Sequence, residues 1–420
     1  MNTQAVADAH PVEHQLTEQQ VSMLAFIGAT EDTYYLVTEL FRLEGELDVD
    51  ALRTAVRLLV ERHGMSRARF DHRSSVYRIE EFDPAAAEAM VHDGGTADGV
   101  EAGVKAAAAW LRAPLRLADE PPLRFFVTRC GEGEWVFGAA GHHLVFDGWS
   151  FKLVWEELSE AYRALRSAET PVLKPAPQYA ESCGSRRAAV AAQDWSGEFG
   201  RDYTAIRALQ ARAAATLGPA RREYATIAED LDTLVVARAR ALGTTPYVLG
   251  CAAMLRALAD VLADDQAIFG TAFAGRLSGA AVRTVGYFST SIFIAADLSV
   301  HSTDAALLGH VKHTVARWQA GNRLQWEQVL DEYGARDLYP VKFSFQPTAM
   351  VQPEPALEGL SVRRIVTPPG GLARRPLDLA VRYGDGVIDV DAAYRDDALA
   401  PADARRLVEA FAQQLRKLCG

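Results

Sequence analysis

The sequence predicts an α/β protein made of two successive sheet-and-helix lobes. Three observations carry this. At 420 residues the chain is long enough for two substantial cores. In each half, apolar strand-like runs sit beside segments of helical period. Between the halves, Ser167 to Ala176 is polar and proline-rich, the composition of a linker. The predicted division is a disordered leader at 1–10, a first lobe at 11–166, a linker at 167–192 and a second lobe at 193–420.

The leader is polar and small and lacks the apolar core of a signal peptide. In the first lobe, Glu134-Trp135-Val136-Phe137-Gly138-Ala139-Ala140 reads as a buried strand. After Gly148 the period changes: Phe151, Val154, Leu158, Tyr162 and Leu165 recur three or four residues apart, an amphipathic helix flanked by Glu156, Glu157 and Glu160. The second lobe is predicted to open with long Ala/Arg-rich helices over Gln193–Ala215. Helices over Asp230–Leu242 and Pro246–Leu262, a strand over Ala267–Phe273 and an amphipathic helix over Ala402–Leu418 complete it. No internal repeat is visible.

Composition narrows the function classes. Hydrophobic content of 49% and charged content of 24% are ordinary for a soluble globular chain. A net charge of −11, without basic runs interleaved with aromatics, argues against nucleic acid. An acidic partner would need a locally basic patch, for which Arg186-Arg187 and Arg221-Arg222 are available. Cys130, Cys183, Cys251 and Cys419 have no metal or redox spacing, which fits a reducing cytoplasm. The most apolar helical stretch, Val248 to Leu262, carries Arg256 and Asp260 and is too short to span a bilayer, so no membrane role is expected.

The chemistry concentrates in Gly141-His142-His143-Leu144-Val145-Phe146-Asp147-Gly148-Trp149-Ser150. Chance places His-His-x-x-x-Asp-Gly in such a chain in roughly one case in a thousand. The ordinary pKa of imidazole lies nearest neutrality, so a strand ending in this cluster is an acid/base candidate. Adjacent histidines point to opposite faces of a strand, poor geometry for one metal ion, and no metal is expected. Asp147 lies too near apolar neighbours to stay ionised alone and calls for an arginine partner. Gly148 suits a turn with unusual dihedrals or a close backbone approach.

The His-His-x-x-x-Asp-Gly-Trp-Ser string resembles the core motif of nonribosomal peptide synthetase condensation domains. Thr17 and Gln20 match the opening Ser-x-Ala-Gln motif, with Ser22 where an arginine is usual. Arg62-His63-Gly64-Met65-Ser66-Arg67-Ala68-Arg69-Phe70 is similar to an Arg-His-x-x-x-Arg-x-x-Phe motif. Ala274-Gly275-Arg276 and Val285-Gly286-Tyr287-Phe288-Ser289-Thr290-Ser291 look like the family's tunnel floor, with Thr290 in place of asparagine. Arg336-Asp337, Phe343-Ser344-Phe345-Gln346 and Pro376-Leu377-Asp378-Leu379 resemble later motifs.

The resemblance implies two chloramphenicol-acetyltransferase-like lobes, each a mixed sheet with flanking helices. They would form a V-shaped pseudo-dimer with the active site at the junction. It implies transfer of an acyl or aminoacyl group from a carrier-protein thioester to an amine or hydroxyl. His143 would be the active-site histidine and Gly148 the backbone N–H near the reacting centre. His142, Asp147 and its partner Arg276 would be structural. Trp149, Tyr287, Ser289, Thr290, Ser291 and Gln346 are the tunnel candidates of a floor spanning 274–291. No bound cofactor is implied. Substrates would arrive on phosphopantetheine arms of separate acyl or peptidyl carrier proteins, with a free small-molecule acceptor as an alternative.

The mechanistic choice for His143 stays open between general base and positioning or electrostatic group. Direct transfer is expected over an acyl-enzyme, because no nucleophilic serine or cysteine sits in an elbow motif. An epimerisation domain would carry Glu-Gly-His-Gly-Arg where Ala272-Phe273-Ala274-Gly275-Arg276 stands, and heterocyclisation domains replace both histidines. An acyl-CoA-dependent acyltransferase of the same fold and a non-catalytic recruitment module are the remaining rivals. Without an adenylation sequence or a carrier serine in Gly370-Gly371-Leu372-Ala373, the chain is expected to work as a free-standing enzyme in trans.

Overall fold

The computed structural model describes residues 12–27, 35–71, 73–183, 194–213, 217–227, 230–276, 278–320, 330–348, 354–365, 372–384 and 386–420. The leader at 1–10, the Arg186-Arg187 pair and the Gly370-Gly371 pair lie outside them. The chain forms two compact units: one of Met1–Arg186, Arg276–Phe288 and Gln352–Thr367, the other of Arg187–Gly275, Ser289–Val351 and Pro368–Gly420.

The first unit is built on a five-stranded sheet in the order Leu360–Ile365, Leu36–Gly45, Glu134–His142, Leu123–Gly131, Val91–Thr96. Its pairs are antiparallel except Val91–Thr96 with Leu123–Gly131. The motif strand Glu134–His142 is central and has both faces covered. Phe137 and Ala139 join the core under helices Val49–Arg62 and Gly148–Arg166, while Val136 and Ala140 pack with Ala107 and Leu111 of helix Gly99–Leu111. Two-sided cover is why its sequence reads as an apolar run rather than an alternation. Helix Gly148–Arg166 buries Phe151, Val154, Trp155, Leu158, Ala161 and Tyr162, the face its period indicates.

The second unit carries a seven-stranded mixed sheet in the order Thr290–Asp297, Gln266–Phe273, Val341–Pro347, Leu377–Gly384, Val387–Arg395, Gly218–Ile227, Leu372–Ala373. Val341–Pro347 pairs parallel with both its neighbours. Helices Pro246–Leu262 and Pro401–Cys419 supply most of the helical core. Along Val387–Arg395 the alternation of buried Ile388, Val390 and Ala392 with half-buried Asp389, Asp391 and Ala393 shows one face turned to that core.

Three expectations need correction. The second unit is not the continuous stretch 193–420. Arg276–Phe288 belongs to the first unit, and so does the strand Leu360–Ile365, which adds to Leu36–Gly45. Arg364 reaches Glu39 at 3.3 Å with both side chains largely buried, and its guanidinium lies over the Phe41 ring. Burial lifts the Glu39 carboxyl above its ordinary pKa, against the Arg364 charge and the Trp155 N–H. Nor is 167–192 linker throughout: Tyr179, in helix Tyr179–Cys183, is 2% exposed and part of the first core. Finally, in place of the long helices over Gln193–Ala215, the described residues there form two short ones, Ser196–Phe199 and Thr204–Arg212. Tyr203, buried between them at φ 46°, interrupts the helical path.

Candidate active site

The motif strand ends at His142, residues 143–147 turn, and Gly148 opens the motif helix. Gly141 stands where this turn folds back: a Cβ there would meet the rings of Phe146 and Phe151 at 3.1 Å. His142 is fully buried. Its Nδ1 accepts from the Leu144 N–H at 3.1 Å and its carbonyl accepts from the Val145 and Phe146 N–H groups, so the residue holds the turn. His143 is half-buried. Its N–H donates to the Tyr35 carbonyl at 2.8 Å, and its ring meets the Tyr287 ring edge-on at 5.1 Å.

The opening motif supports the same turn. Thr17 caps helix Glu18–Ile27 reciprocally with Gln20: the Thr17 N–H reaches Gln20 Oε1 at 3.0 Å, and the Gln20 N–H reaches Thr17 Oγ1 at 3.3 Å. The fully buried Gln20 then donates through Nε2 to the Leu144 carbonyl at 3.0 Å.

Asp147 is the N-cap of the motif helix, its Oδ1 accepting from the Ser150 N–H at 2.8 Å. The Arg276 guanidinium donates from Nη2 to the same oxygen at 2.7 Å, and both side chains are 2% exposed. Arg276 Nη1 donates to the Ala281 and Thr284 carbonyls at 2.5 and 2.6 Å, and Nη2 also reaches the Gly286 carbonyl at 3.1 Å. Asp147 Oδ2 accepts from the Phe288 N–H at 3.1 Å, and the Arg276 guanidinium lies 4.4 Å from the Phe288 ring centroid. The pair thus clamps the returning segment to the motif turn.

Gly148 is exposed. Its φ is not positive, and a Cβ built on it would meet nothing within 4 Å. The expectation of unusual dihedrals is therefore corrected: the residue leaves open space in front of a helix N-terminus. Its N–H, at the first helical position, has no intrahelical acceptor.

The tunnel candidates separate. Trp149 and Tyr287 belong to the first unit; the Trp149 indole N–H donates to the Val282 carbonyl at 2.9 Å. Ser289, Thr290, Ser291 and Gln346 belong to the second, so the floor read as one segment over 274–291 is divided between the two units. Ser291 Oγ lies 2.8 Å from the Tyr339 hydroxyl, Thr290 Oγ1 is buried, and Gln346 is half-buried on Val341–Pro347.

Two side chains escaped the sequence reading. Ser150 is fully buried, with Oγ 2.8 Å from Asp147 Oδ1, 2.8 Å from the Gly286 carbonyl and 3.0 Å from the Gly286 N–H and Arg276 Nη2. Tyr179 donates its hydroxyl to the Tyr287 carbonyl at 2.7 Å and stacks edge-on against Phe288. The first had a signal, since Asp three residues before Ser at a helix start marks an N-cap. The second had none, lying more than 100 residues from the segment it holds.

The condensation-domain family model matches residues 13–419. The chain belongs to the condensation-domain family. A linear gramicidin synthase of Brevibacillus parabrevis is 26% identical over 351 residues, 78% of this chain and 7% of that protein. The first curated relatives are much longer, and this condensation domain spans 4–7% of their length. Among solved structures, the X-domain from teicoplanin biosynthesis matches with a TM-score of 0.74 at 19% identity, covering 98% of this chain and 96% of that one. The first condensation domain of the calcium-dependent antibiotic synthetase, solved with a substrate analogue, gives 0.74 at 19% over 97% and 96%. The mixed α/β architecture is thus that of condensation domains, with two chloramphenicol-acetyltransferase-like lobes.

Proposed function

We propose that this condensation domain transfers an acyl or aminoacyl group from a carrier-protein thioester to an amine, or to a hydroxyl, with His143 acting at the nucleophile. One observation carries the reading. Around the motif turn His142, Asp147 and Ser150 are buried and engaged in holding the turn, while His143 keeps partial exposure. The nucleophile attacks the thioester carbonyl and forms the new C–N or C–O bond. The tetrahedral oxyanion then collapses, the C–S bond breaks, and the carrier's phosphopantetheine sulfur leaves as thiolate and takes up the proton the nucleophile has lost. His143 removes that proton or orients the nucleophile and stabilises its developing charge. The Gly148 N–H, at the positive end of the helix, is assigned to the oxyanion.

Direct transfer is supported by Ser150, whose fully buried hydroxyl is committed to Asp147 and Gly286 and so is no acyl acceptor. Substrates ride on the carriers' phosphopantetheine arms, and no bound cofactor is required. The reaction is assigned to the cytoplasm, in keeping with four free cysteines.

The test is intact-mass analysis of loaded carriers supplied in trans. His143→Ala should lower turnover about 10²- to 10⁴-fold while leaving the domain folded. Near-normal turnover in that variant overturns the role. Turnover of acyl-CoA but not of loaded carriers would replace the carrier donor, and no turnover with either would leave a recruitment module.

A further inference from the structure

We infer that Ser150 is a positioning residue: its hydroxyl keys the segment Arg276–Phe288 to the motif helix and so sets the Tyr287 ring against His143. The inference rests on the reading of His143 given above. Among described residues, the stretch from Thr284 to Phe288 pairs with no strand. Side chains hold it instead. Arg276 takes the Thr284 carbonyl, Tyr179 takes the Tyr287 carbonyl, and Asp147 takes the Phe288 N–H.

Gly286 is the exception, because one atom meets both its backbone groups. Ser150 Oγ accepts from the Gly286 N–H at 3.0 Å and lies 2.8 Å from the Gly286 carbonyl. The same oxygen accepts from Arg276 Nη2 at 3.0 Å and lies 2.8 Å from Asp147 Oδ1. A hydroxyl donates one proton and accepts two, so this inventory is filled and the proton is shared between two acceptors. The next residue is Tyr287, whose ring stands edge-on to His143 at 5.1 Å.

Gly286 also has no room to shift toward its other neighbour. A Cβ there would sit 2.1 Å from the Tyr179 ring, which is 2% exposed. Removing the hydroxyl takes the acceptor away from the Gly286 N–H at a point where Ser150 itself is fully buried, so solvent does not replace it. With translation blocked by the Tyr179 ring, the Gly286 peptide reorients about the lost contact, and Tyr287, the next residue, turns with it.

The test uses Ser150→Ala in the whole domain, read in two ways. The first is turnover of loaded carriers, with an expected fall in kcat of about 10- to 100-fold and little change in KM, the size of effect a misplaced reacting group gives. The second is the His143 imidazole proton resonance, identified by its absence in His143→Ala. The edge of Tyr287 imposes a ring-current shift, so the resonance should move toward its position in Tyr287→Leu. Lower stability with unchanged kcat and an unchanged resonance overturns the inference. If His143→Ala retains turnover, the catalytic reading fails, and the resonance alone decides whether Ser150 positions Tyr287. Should Ser150→Ala not fold, Ser150→Cys keeps the site filled with a weaker donor and acceptor and is read the same way.

Discussion

Removing either partner of the Asp147–Arg276 pair should be among the most destabilising single changes in the first unit. With both side chains 2% exposed, neither charge can regain water when its partner goes. Breaking such a pair costs about 3–5 kcal/mol, against a typical domain stability of about 5–15 kcal/mol. Arg276→Met belongs at the upper end, because the Ala281, Thr284 and Gly286 carbonyls lose a donor as well. Asp147→Asn keeps the cap, because the amide oxygen still accepts from the Ser150 N–H, but it strands the Arg276 charge and turns an NH2 toward the Phe288 N–H that Oδ2 accepts. At a urea slope of about 2 kcal/mol/M, a loss of about 4 kcal/mol moves the unfolding midpoint by about 2 M. The double variant should cost less than the sum of the singles by about 2 kcal/mol, since it strands no charge. Added salt should leave the difference intact, as buried pairs are screened little. Midpoint shifts below about 0.5 M for both singles, or strict additivity in the double variant, would refute a buried pair that holds the turn.

Two further outcomes follow from single residues. Gly148→Ala should leave stability unchanged or slightly higher, because its methyl meets nothing within 4 Å, while turnover falls at least about tenfold as the methyl enters the open space before the helix; unchanged turnover would remove Gly148 from the reacting centre. Glu157, midway along helix Gly148–Arg166, ties that helix to the C-terminal end of helix Val49–Arg62, lying 2.9 Å from His63 Nε2 and 3.1 Å from Arg62 Nε. Burial alone would raise its carboxyl, but His63 and Arg62 together hold it below the ordinary value near 4.5. A depressed folded-state pKa gives stability that is full above the unfolded value and is lost as pH falls through the folded one. The melting-temperature gap between the protein and Glu157→Gln should therefore be full at neutral pH and shrink from about pH 5 downward; a gap constant across that range would contradict the assignment.

Much of the first unit was legible because its signals are local. The strand Glu134–His142, the turn and the helix Gly148–Arg166 are consecutive, and the helix buries Phe151, Val154, Leu158 and Tyr162 as their spacing indicates. In the second unit, Pro246–Leu262 begins at the proline expected at a first helical turn and is capped by Thr245. Gln193–Ala215 misled because alanine and arginine favour helix everywhere, whereas Trp195, Phe199, Tyr203 and Ile206 are all drawn into the core, with the chain turned at Tyr203.

The motif, the order of its strand, turn and helix, and the need of Asp147 for a cation could all be read from the amino-acid string, because they depend on neighbours within a few residues. Long-range packing was needed to assign Arg276–Phe288 and Leu360–Ile365 to the first unit, to set Gly148 before open space, and to join Ser150 to Asp147, Arg276 and Gly286. The difference lies in sequence separation. Ser150 and Gly286 stand 136 positions apart, and Ser150 and Arg276 stand 126 apart. Periodicity reports which face of an element is buried, never which distant segment will bury it.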